Sequence, residues 1–426
     1  MIKRVAESTC LALAAGYPIV AVTGPRQSGK TTLVKAAFPD KPYVSFEDPD
    51  QLESATGDPR GFLARFPSGA IIDEAQRFPK IFSYLQGYVD DRKKMGLFIL
   101  TGSQQFGLIS GISQSLAGRA ALVQLLPFSL GEAGRGGIAL GPLAKVLISG
   151  LYPPIHDRHL DPAVWYGNYV MTYLERDVRN LLAVRDLSQF RTFLRMCAAR
   201  CGRLLNLSSL ASDCGITHNT ARSWISVLEA SYIVHLLRPH SENFGKRMVK
   251  APKLYFYDPG LAAWLLNIQG PDHMAVHPMR GGLFEALIVA EFLKARYNRS
   301  LDSNLYFWRD NIGEEIDLLI DEGQAVRPVE IKSGETVSED YFRGLKRRQV
   351  WVAQRGQENG RSGRVAGAAD SATEGLAGSD AGSAGRVGID LPSAGAVIYG
   401  GKESFRQGPF SVVSWRDLAE GSGLDI

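Results

Sequence analysis

The sharpest chemical pattern in the chain is GPRQSGKTT, residues 24–32. It fits G-x-x-x-x-G-K-[ST], a loop whose backbone N–H groups cradle the phosphates of a nucleotide. Gly24 and Gly29 give the loop its turns, Pro25, Arg26, Gln27 and Ser28 lie between them, and Thr32 follows. Lys30 brings a point charge to the β- and γ-phosphates, and Thr31 a hydroxyl ligand for Mg2+. Downstream, GAIIDEAQ puts Asp73 at the end of an apolar run, where it would hold the same Mg2+ through water. Glu74 follows and is placed to polarise an attacking water. LFILTGS ends another apolar run, so Ser103 or Gln104 would face the γ-phosphate as a sensor. Arg119, in SLAGR, reads either as an arginine finger serving a neighbouring copy or as a solvated arginine at a helix end. Together these groups describe Mg2+-dependent ATP hydrolysis, with Lys30, Glu74, Ser103 and Arg119 as its catalytic set.

A second set lies towards the C-terminus, where Glu285, Asp317, Glu330 and Lys332 form an ordered pattern. Asp317 and Glu330 offer hard oxygens to a second Mg2+, and the spacing of Glu330 and Lys332 puts both on one strand face. Lys332 would orient or activate a water for attack on a phosphodiester. Between the two sets, THNTARSW suggests a helix offering His218, Asn219, Arg222 and Ser223 to DNA. In the basic hairpin that follows, Lys246, Arg247, Lys250 and Lys253 suit phosphate contacts. The same surface also suits a protein partner. Cys197, Cys201, Cys214 and His218 have a spacing that a zinc site could use. Thiols inside an amphipathic helix commonly pack as core, however, so no zinc is expected.

Each group needs an element behind it. IVAVT (19–23) predicts a strand running into the phosphate loop, with a helix over about 30–38. Strands are expected at the ends of GAIID, LFILTGS and ALVQLL, in a parallel sheet with LFILTGS between the lysine- and acid-bearing strands. Residues 165–184 read as an amphipathic helix, a lid or connector with Glu175, Arg176 and Asp177 exposed. Residues 187–258 then give three short helices and two strands, with Gly215-Ile216 at the turn and Thr217 as cap: helix-turn-helix plus wing. From 281 an amphipathic helix precedes strands at 304–310, 314–321 and 327–334, a helix at 339–348 and a strand at 351–353. Residues 355–394 hold nine Gly, eight Ala and five Ser with no aromatic, and so predict a disordered insert before a closing strand at 396–401.

The motifs GPRQSGKTT, IIDEAQ, LTGSQ and SLAGR with LPFSLGE resemble the AAA-type ATPase domain of a prokaryotic family with a conserved C-terminal region of uncertain function. The resemblance implies the additional-strand class of P-loop ATPase, Glu74 as catalytic acid and a tendency to form homo-oligomers. The C-terminal order of elements resembles the restriction-endonuclease-like, PD-(D/E)xK fold. The expected architecture is α/β: a P-loop NTPase parallel sheet (1–150), a helical connector (151–185), a winged helix (186–260) and a nuclease-like α/β domain (261–426). Function is expected to be an ATPase cycle that switches the appended domains on or near DNA. The alternatives are an ATP-regulated, metal-dependent endonuclease and a non-nucleolytic regulator that binds DNA or protein.

Composition agrees with a globular chain: 45% hydrophobic and 22% charged residues in 426 exclude a mostly disordered, fibrous or small disulfide-built protein. Charge is uneven. Residues 1–150 carry 16 basic and 12 acidic side chains, 151–258 carry 14 and 9, and 259–426 carry 18 and 23. A basic middle beside an acidic C-terminal third suggests separate partners. No apolar run is long enough to span a membrane. Lys3 and Arg4 followed by TCLALAAG resemble a signal peptide, but Glu7 stands between the basic pair and the apolar stretch, and the segment is not read as a secretion signal. Four cysteines imply no disulfide framework, so a cytoplasmic setting is expected.

Overall fold

The computed structural model describes the chain apart from residues 1, 104, 175–186, 241–249, 311–312, 324, 348–390 and 421–426. It divides into two compact units, residues 1–238 with 250–305, and residues 239–249 with 306–425. In the first unit, strands β1 (Ile19–Thr23), β2 (Tyr43–Ser45), β3 (Ala70–Asp73), β4 (Phe98–Gly102) and β5 (Ala120–Gln124) form one sheet in the order β2-β3-β4-β1-β5. Neighbouring strands run parallel. β4 therefore lies between the strand that enters the phosphate loop and the strand that ends in Asp73.

Alternation within these strands decides the two cores. Ile19, Ala21, Ile72, Phe98 and Leu100 pack on one face with Phe62, Phe82 and Leu85 from the helices Pro59–Ala64 and Ile81–Arg92. Val20, Val22, Ile71, Ile99 and Val123 pack on the other with Leu33 and Val34. A sheet covered on both faces reads as continuous apolar runs, which is why IVAVT, AIID and FILTG are so legible. The parallel register brings all the carboxyl ends to one edge, where an open α/β sheet presents its ligand site.

The rest of the first unit is helical with a small sheet. Tyr152, Trp165, Tyr166 and Tyr169 pack as a buried aromatic group around the helix Pro162–Tyr169, as core rather than as a binding face. The helix continues as a π-turn over Val170–Leu174, and the Glu175–Asp177 cluster lies outside the described residues. Helices Leu187–Ala198, Leu207–Asp213 and His218–Ala230 follow, the last capped by the Thr217 side chain as expected. β6 (Arg203–Leu204), β7 (Val234–Leu237) and β8 (Lys253–Phe256) make an antiparallel sheet in the order β6-β8-β7.

One expectation is corrected here. The helix Arg280–Tyr297 is not amphipathic: Leu283, Phe284, Leu287, Ile288, Phe292 and even Glu291 and Lys294 are buried. A helix apolar on all sides belongs in a core, and this one clusters with the first unit.

The second unit holds a mixed sheet of β9 (Leu305–Arg309), β10 (Glu315–Asp321), β11 (Val326–Lys332), β12 (Ala396–Tyr399), β13 (Phe405–Gln407) and β14 (Phe410–Ser414), in the order β13-β14-β12-β11-β10-β9. β10 and β11 form an antiparallel pair, whereas β12 runs parallel to β11 and to β14. Phe342, Leu345, Val397, Tyr399 and Phe410 form its core cluster. The expected helix at 339–348 opens as a 3-10 turn, Glu339–Phe342. The expected strand at 351–353 and the insert up to residue 390 lie outside the described residues.

Candidate functional site

The phosphate loop joins β1 to the helix Lys30–Ala37. Gln27 and Gly29 adopt positive φ, 62° and 93°, on either side of Ser28, the kind of alternation by which a backbone nest turns successive N–H groups towards an anion. Gly24 is required by contact, because a Cβ there would meet the Leu125 carbonyl oxygen at 2.1 Å. Lys30 is buried, and its ammonium donates to the Gly24 and Pro25 carbonyls at 3.0 and 2.7 Å. It is thus held over the loop it serves. The Ser28 hydroxyl is buried in the loop with no hydrogen-bond partner among the described residues.

Asp73 is the hub of the site. Its Oδ2 accepts from Thr31 Oγ1 at 2.9 Å and from the Tyr43 hydroxyl at 2.7 Å. Its Oδ1 accepts from the Glu74 N–H at 3.1 Å and from Thr101 Oγ1. Burial, and then the hydrogen bond to the Asp73 carboxylate, push the Tyr43 phenol up from its ordinary range. Glu74 sits in the left-handed region at φ 55°. Its Oε2 accepts from Ser103 Oγ at 3.1 Å and from Gln76 Nε2. Strands β1, β3 and β4 therefore bring Lys30, Thr31, Asp73, Glu74 and Ser103 to one sheet edge; Gln104 lies outside the described residues.

Beside the loop opens a cleft of about 350 Å³, lined by Ile2, Arg4, Thr32, Leu33, Phe128 and Pro153 among others. Its size and mixed apolar lining fit a small-molecule site. The hydroxyl and carboxylate oxygens of Thr31 and Asp73 suit a hard cation such as Mg2+. The backbone alternation at Gln27 and Gly29 suits phosphate oxygens.

Residues 16–134 match the family model described as an AAA domain. Residues 141–272 and 280–363 match two domains of unknown function, DUF8612 and DUF4143. Uncharacterised proteins Rv2008c of Mycobacterium tuberculosis and Mb2031c of Mycobacterium bovis are each 30% identical over 324 residues, 75% of this chain and 71% of theirs. The chain belongs to the prokaryotic AAA-type P-loop ATPases that carry a C-terminal domain of unknown function. Among solved structures, the Walker-type ATPase PABY2304 of Pyrococcus abyssi is similar at 16% identity and a TM-score of 0.44, covering 62% of this chain and 96% of that one.

In this ATPase the remaining residues of interest fall in several places. Arg119 precedes β5, and its carbonyl accepts from the Ile19 N–H at the start of β1, so it stands at the sheet edge opposite the phosphate loop. Its guanidinium makes a two-pronged pair with Asp90 at 2.6 and 2.8 Å. A five-residue strand is roughly 16 Å long, too far for Arg119 to serve its own phosphate loop.

His218, Asn219, Arg222 and Ser223 are exposed on the helix His218–Ala230, and Lys250 is exposed. Lys246 and Arg247 lie outside the described residues. Lys253 corrects the reading of the hairpin: it is only 1% exposed and faces Glu285 at 3.8 Å, so it is no phosphate contact. Glu285 also accepts from the Tyr255 hydroxyl at 3.0 Å, and so it is engaged within the first unit. Cys197 and Cys214 are buried, and Cys201, just past the helix end, directs its thiol to the Gly282 carbonyl.

In the second unit Lys332 Nζ lies 2.7 Å from both Asp317 Oδ2 and Glu330 Oε2. Burial, and then the Asp317 charge, push Glu330 well above the usual carboxylate range against the pull of Lys332. Burial works against the Lys332 ammonium, but Asp317 and Glu330 together hold its affinity for the proton above normal. Among the described residues no three His, Cys, Asp or Glu side chains gather as a metal site, and no helix is long and apolar enough to cross a membrane.

Tyr43, Thr101 and Gln76 were not expected in the site. Gln76 stands inside the IIDEAQ run, and its spacing of two from Glu74 was the available signal. Tyr43 and Thr101 act only through the sheet register, which places Ser45 beside Asp73 and Ile72 beside Leu100.

Proposed function

We propose that the chain is a Mg2+-dependent ATP hydrolase whose cycle switches its appended modules, acting on or near DNA. The observation that carries the reading is the Glu74 carboxylate, gripped by Ser103 and Gln76 at the sheet edge shared by Lys30, Thr31 and Asp73. One Glu74 oxygen is committed to these donors, which leaves the other to accept a proton from water aimed at the γ-phosphorus. Attack forms a bond from the water oxygen to phosphorus and breaks the bond to the β–γ bridging oxygen, releasing ADP and phosphate. Lys30 and the loop N–H groups hold the phosphates, and Ser103 senses the γ-phosphate by exchanging its hydrogen bond to Glu74 for one to a phosphate oxygen. Thr31 and Asp73 would hold Mg2+, which when bound neutralises charge on the β- and γ-oxygens. The cleft beside Thr32 and Leu33 suits the nucleoside. Arg119, on the far edge, would complete the site of a neighbouring copy, which makes homo-oligomers part of the reading.

Lys30→Ala should weaken MgATP binding, whereas Glu74→Gln should keep binding and stop turnover. Turnover in Glu74→Gln equal to wild type would sink the assignment.

Within residues 186–260 the helix–helix–helix–sheet order supports a winged helix. The exposed Asn219 and Arg222 suit a DNA groove, and Lys250 a phosphate; a docked protein is the other partner this face would take. A second reading, an ATP-regulated metal-dependent endonuclease, is favoured by one observation: Asp317, Glu330 and Lys332 converge within 2.7 Å contacts on adjacent strands. A second Mg2+ would sit on the two carboxylates. DNA cleavage lost in both Asp317→Ala and Lys332→Ala would support it; cleavage that persists in both would point to a contaminant.

A further inference from the structure

Arg4 stands outside every motif, yet it is buried and fully engaged. Nη1 donates to the Ser28 carbonyl at 2.7 Å, Nη2 to the Leu126 carbonyl at 2.7 Å, and Nε to Glu132 Oε1 at 3.1 Å. The guanidinium lies over the Phe128 ring, 5.0 Å from its centre. Ser28 is in the middle of the phosphate loop. A trans peptide carries its carbonyl and the next N–H on opposite sides. Pinning the Ser28 oxygen on Arg4 therefore turns the Gly29 N–H away from Arg4, towards the concave side where an anion would sit. Gly29, at φ 93°, can follow this turn, and a Cβ there would come within 3.4 Å of Arg4 Nη1.

We infer that Arg4 is a positioning residue of the phosphate loop: it fixes the Ser28–Gly29 peptide against the chain leaving β5, with Glu132 as its counter-charge. The inference rests on the nucleotide reading above. Arg4 acts through Ser28 rather than by contact with the phosphates. Glu132 is itself fixed, accepting from the Val5 and Ser129 N–H groups at 2.7 and 2.9 Å within a capping box. The receiving segment is also held from behind. Glu291 accepts from the Leu130 N–H and Lys294 donates to the Phe128 carbonyl, both at 2.8 Å. The phosphate loop is thereby linked through buried charged side chains to the helix Arg280–Tyr297.

The test measures MgATP affinity by calorimetry, well below the melting temperature, for wild type, Arg4→Lys and Arg4→Ala. Lysine keeps the charge but lacks the planar fork that reaches two carbonyls and a carboxylate at once. Arg4→Lys should stay folded and bind MgATP about tenfold or more weakly, in keeping with the loss of a charge-assisted hydrogen bond. Arg4→Ala should lose more, and sub-denaturing guanidinium should restore part of its affinity. Wild type that fails to bind MgATP rejects the hydrolase reading and this inference with it. Wild type that binds, beside a folded Arg4→Lys within twofold of it, overturns the inference alone. If both variants melt early, guanidinium that restores their melting temperature without restoring affinity also overturns it.

Discussion

Asp73→Asn separates the fold of the site from its metal chemistry. The carboxylate accepts from four donors, two on each oxygen. The Glu74 N–H can only donate, so the asparagine carbonyl must take the Oδ1 position. The new NH2 then faces Thr31 and Tyr43, whose hydroxyls can rotate and accept. Four charge-assisted bonds become neutral ones, at about 1 kcal/mol each. Against this, a buried charge no longer has to be desolvated, a gain of several kcal/mol. Ligand-free stability should therefore move by only about 1–2 kcal/mol, a few degrees of melting temperature. The metal term is larger. Thr31 Oγ1 lies 2.9 Å from Asp73 Oδ2. A Mg2+ bound to that hydroxyl at about 2.1 Å is then at most about 5 Å from the carboxylate oxygen. At an effective dielectric of about 20, the lost attraction is about 7 kcal/mol before desolvation. Even a third of it, about 2 kcal/mol, amounts to about thirtyfold in affinity. Calorimetry of ATP binding should show Asp73→Asn weakened at least that far with Mg2+, and unchanged or tighter with the metal chelated. Equal loss with and without Mg2+ would refute the reasoning, because it would make Asp73 a structural hub only.

Two further outcomes follow from the other parts of the chain. Glu330 has its folded pKa raised, so its contribution to stability is complete below the unfolded value of about 4.3 and fades as pH rises through the folded one. Unfolding of the second unit should lose stability across that window, and Glu330→Gln, permanently neutral, should flatten the slope; an identical pH profile would refute it. If the exposed helix His218–Ala230 meets DNA, Arg222→Glu should abolish a salt-dependent mobility shift. A shift that survives both the substitution and high salt would point away from this face.

Legibility in the sequence tracked the range of the interactions. The placement of the phosphate loop, Asp73, Glu74 and Ser103 at strand ends was readable because it rests on a local pattern: an apolar run on a doubly covered strand, then a polar residue at its carboxyl end. The place of β4 between β1 and β3 was expected because its polar end residues need to stand between the lysine- and acid-bearing strands. Tyr43 and Thr101 left no local trace, because what matters about them is the strand they stand beside. Arg4 was hidden for the same reason, since its partners are 24, 122 and 128 residues away. Lys253 was misread because a basic hairpin suggests solvent, whereas the strand pattern KLYF is buried throughout and gives its lysine a carboxylate instead.

The helix Arg280–Tyr297 shows the limit most clearly. Its Glu and Lys residues imitate a solvated face, and only the fold reveals that Glu291 and Lys294 are 4% and 2% exposed. Burial raises Glu291 above the usual carboxylate range, while Lys294 and the Leu130 N–H pull it back. A lone charge of either sign would cost several kcal/mol there. The two are tolerable only as a pair that also satisfies the Phe128 carbonyl and the Leu130 N–H. Charged residues in an apolar helix are thus explained by the backbone groups they meet, and those groups lead, through Glu132 and Arg4, back to the phosphate loop.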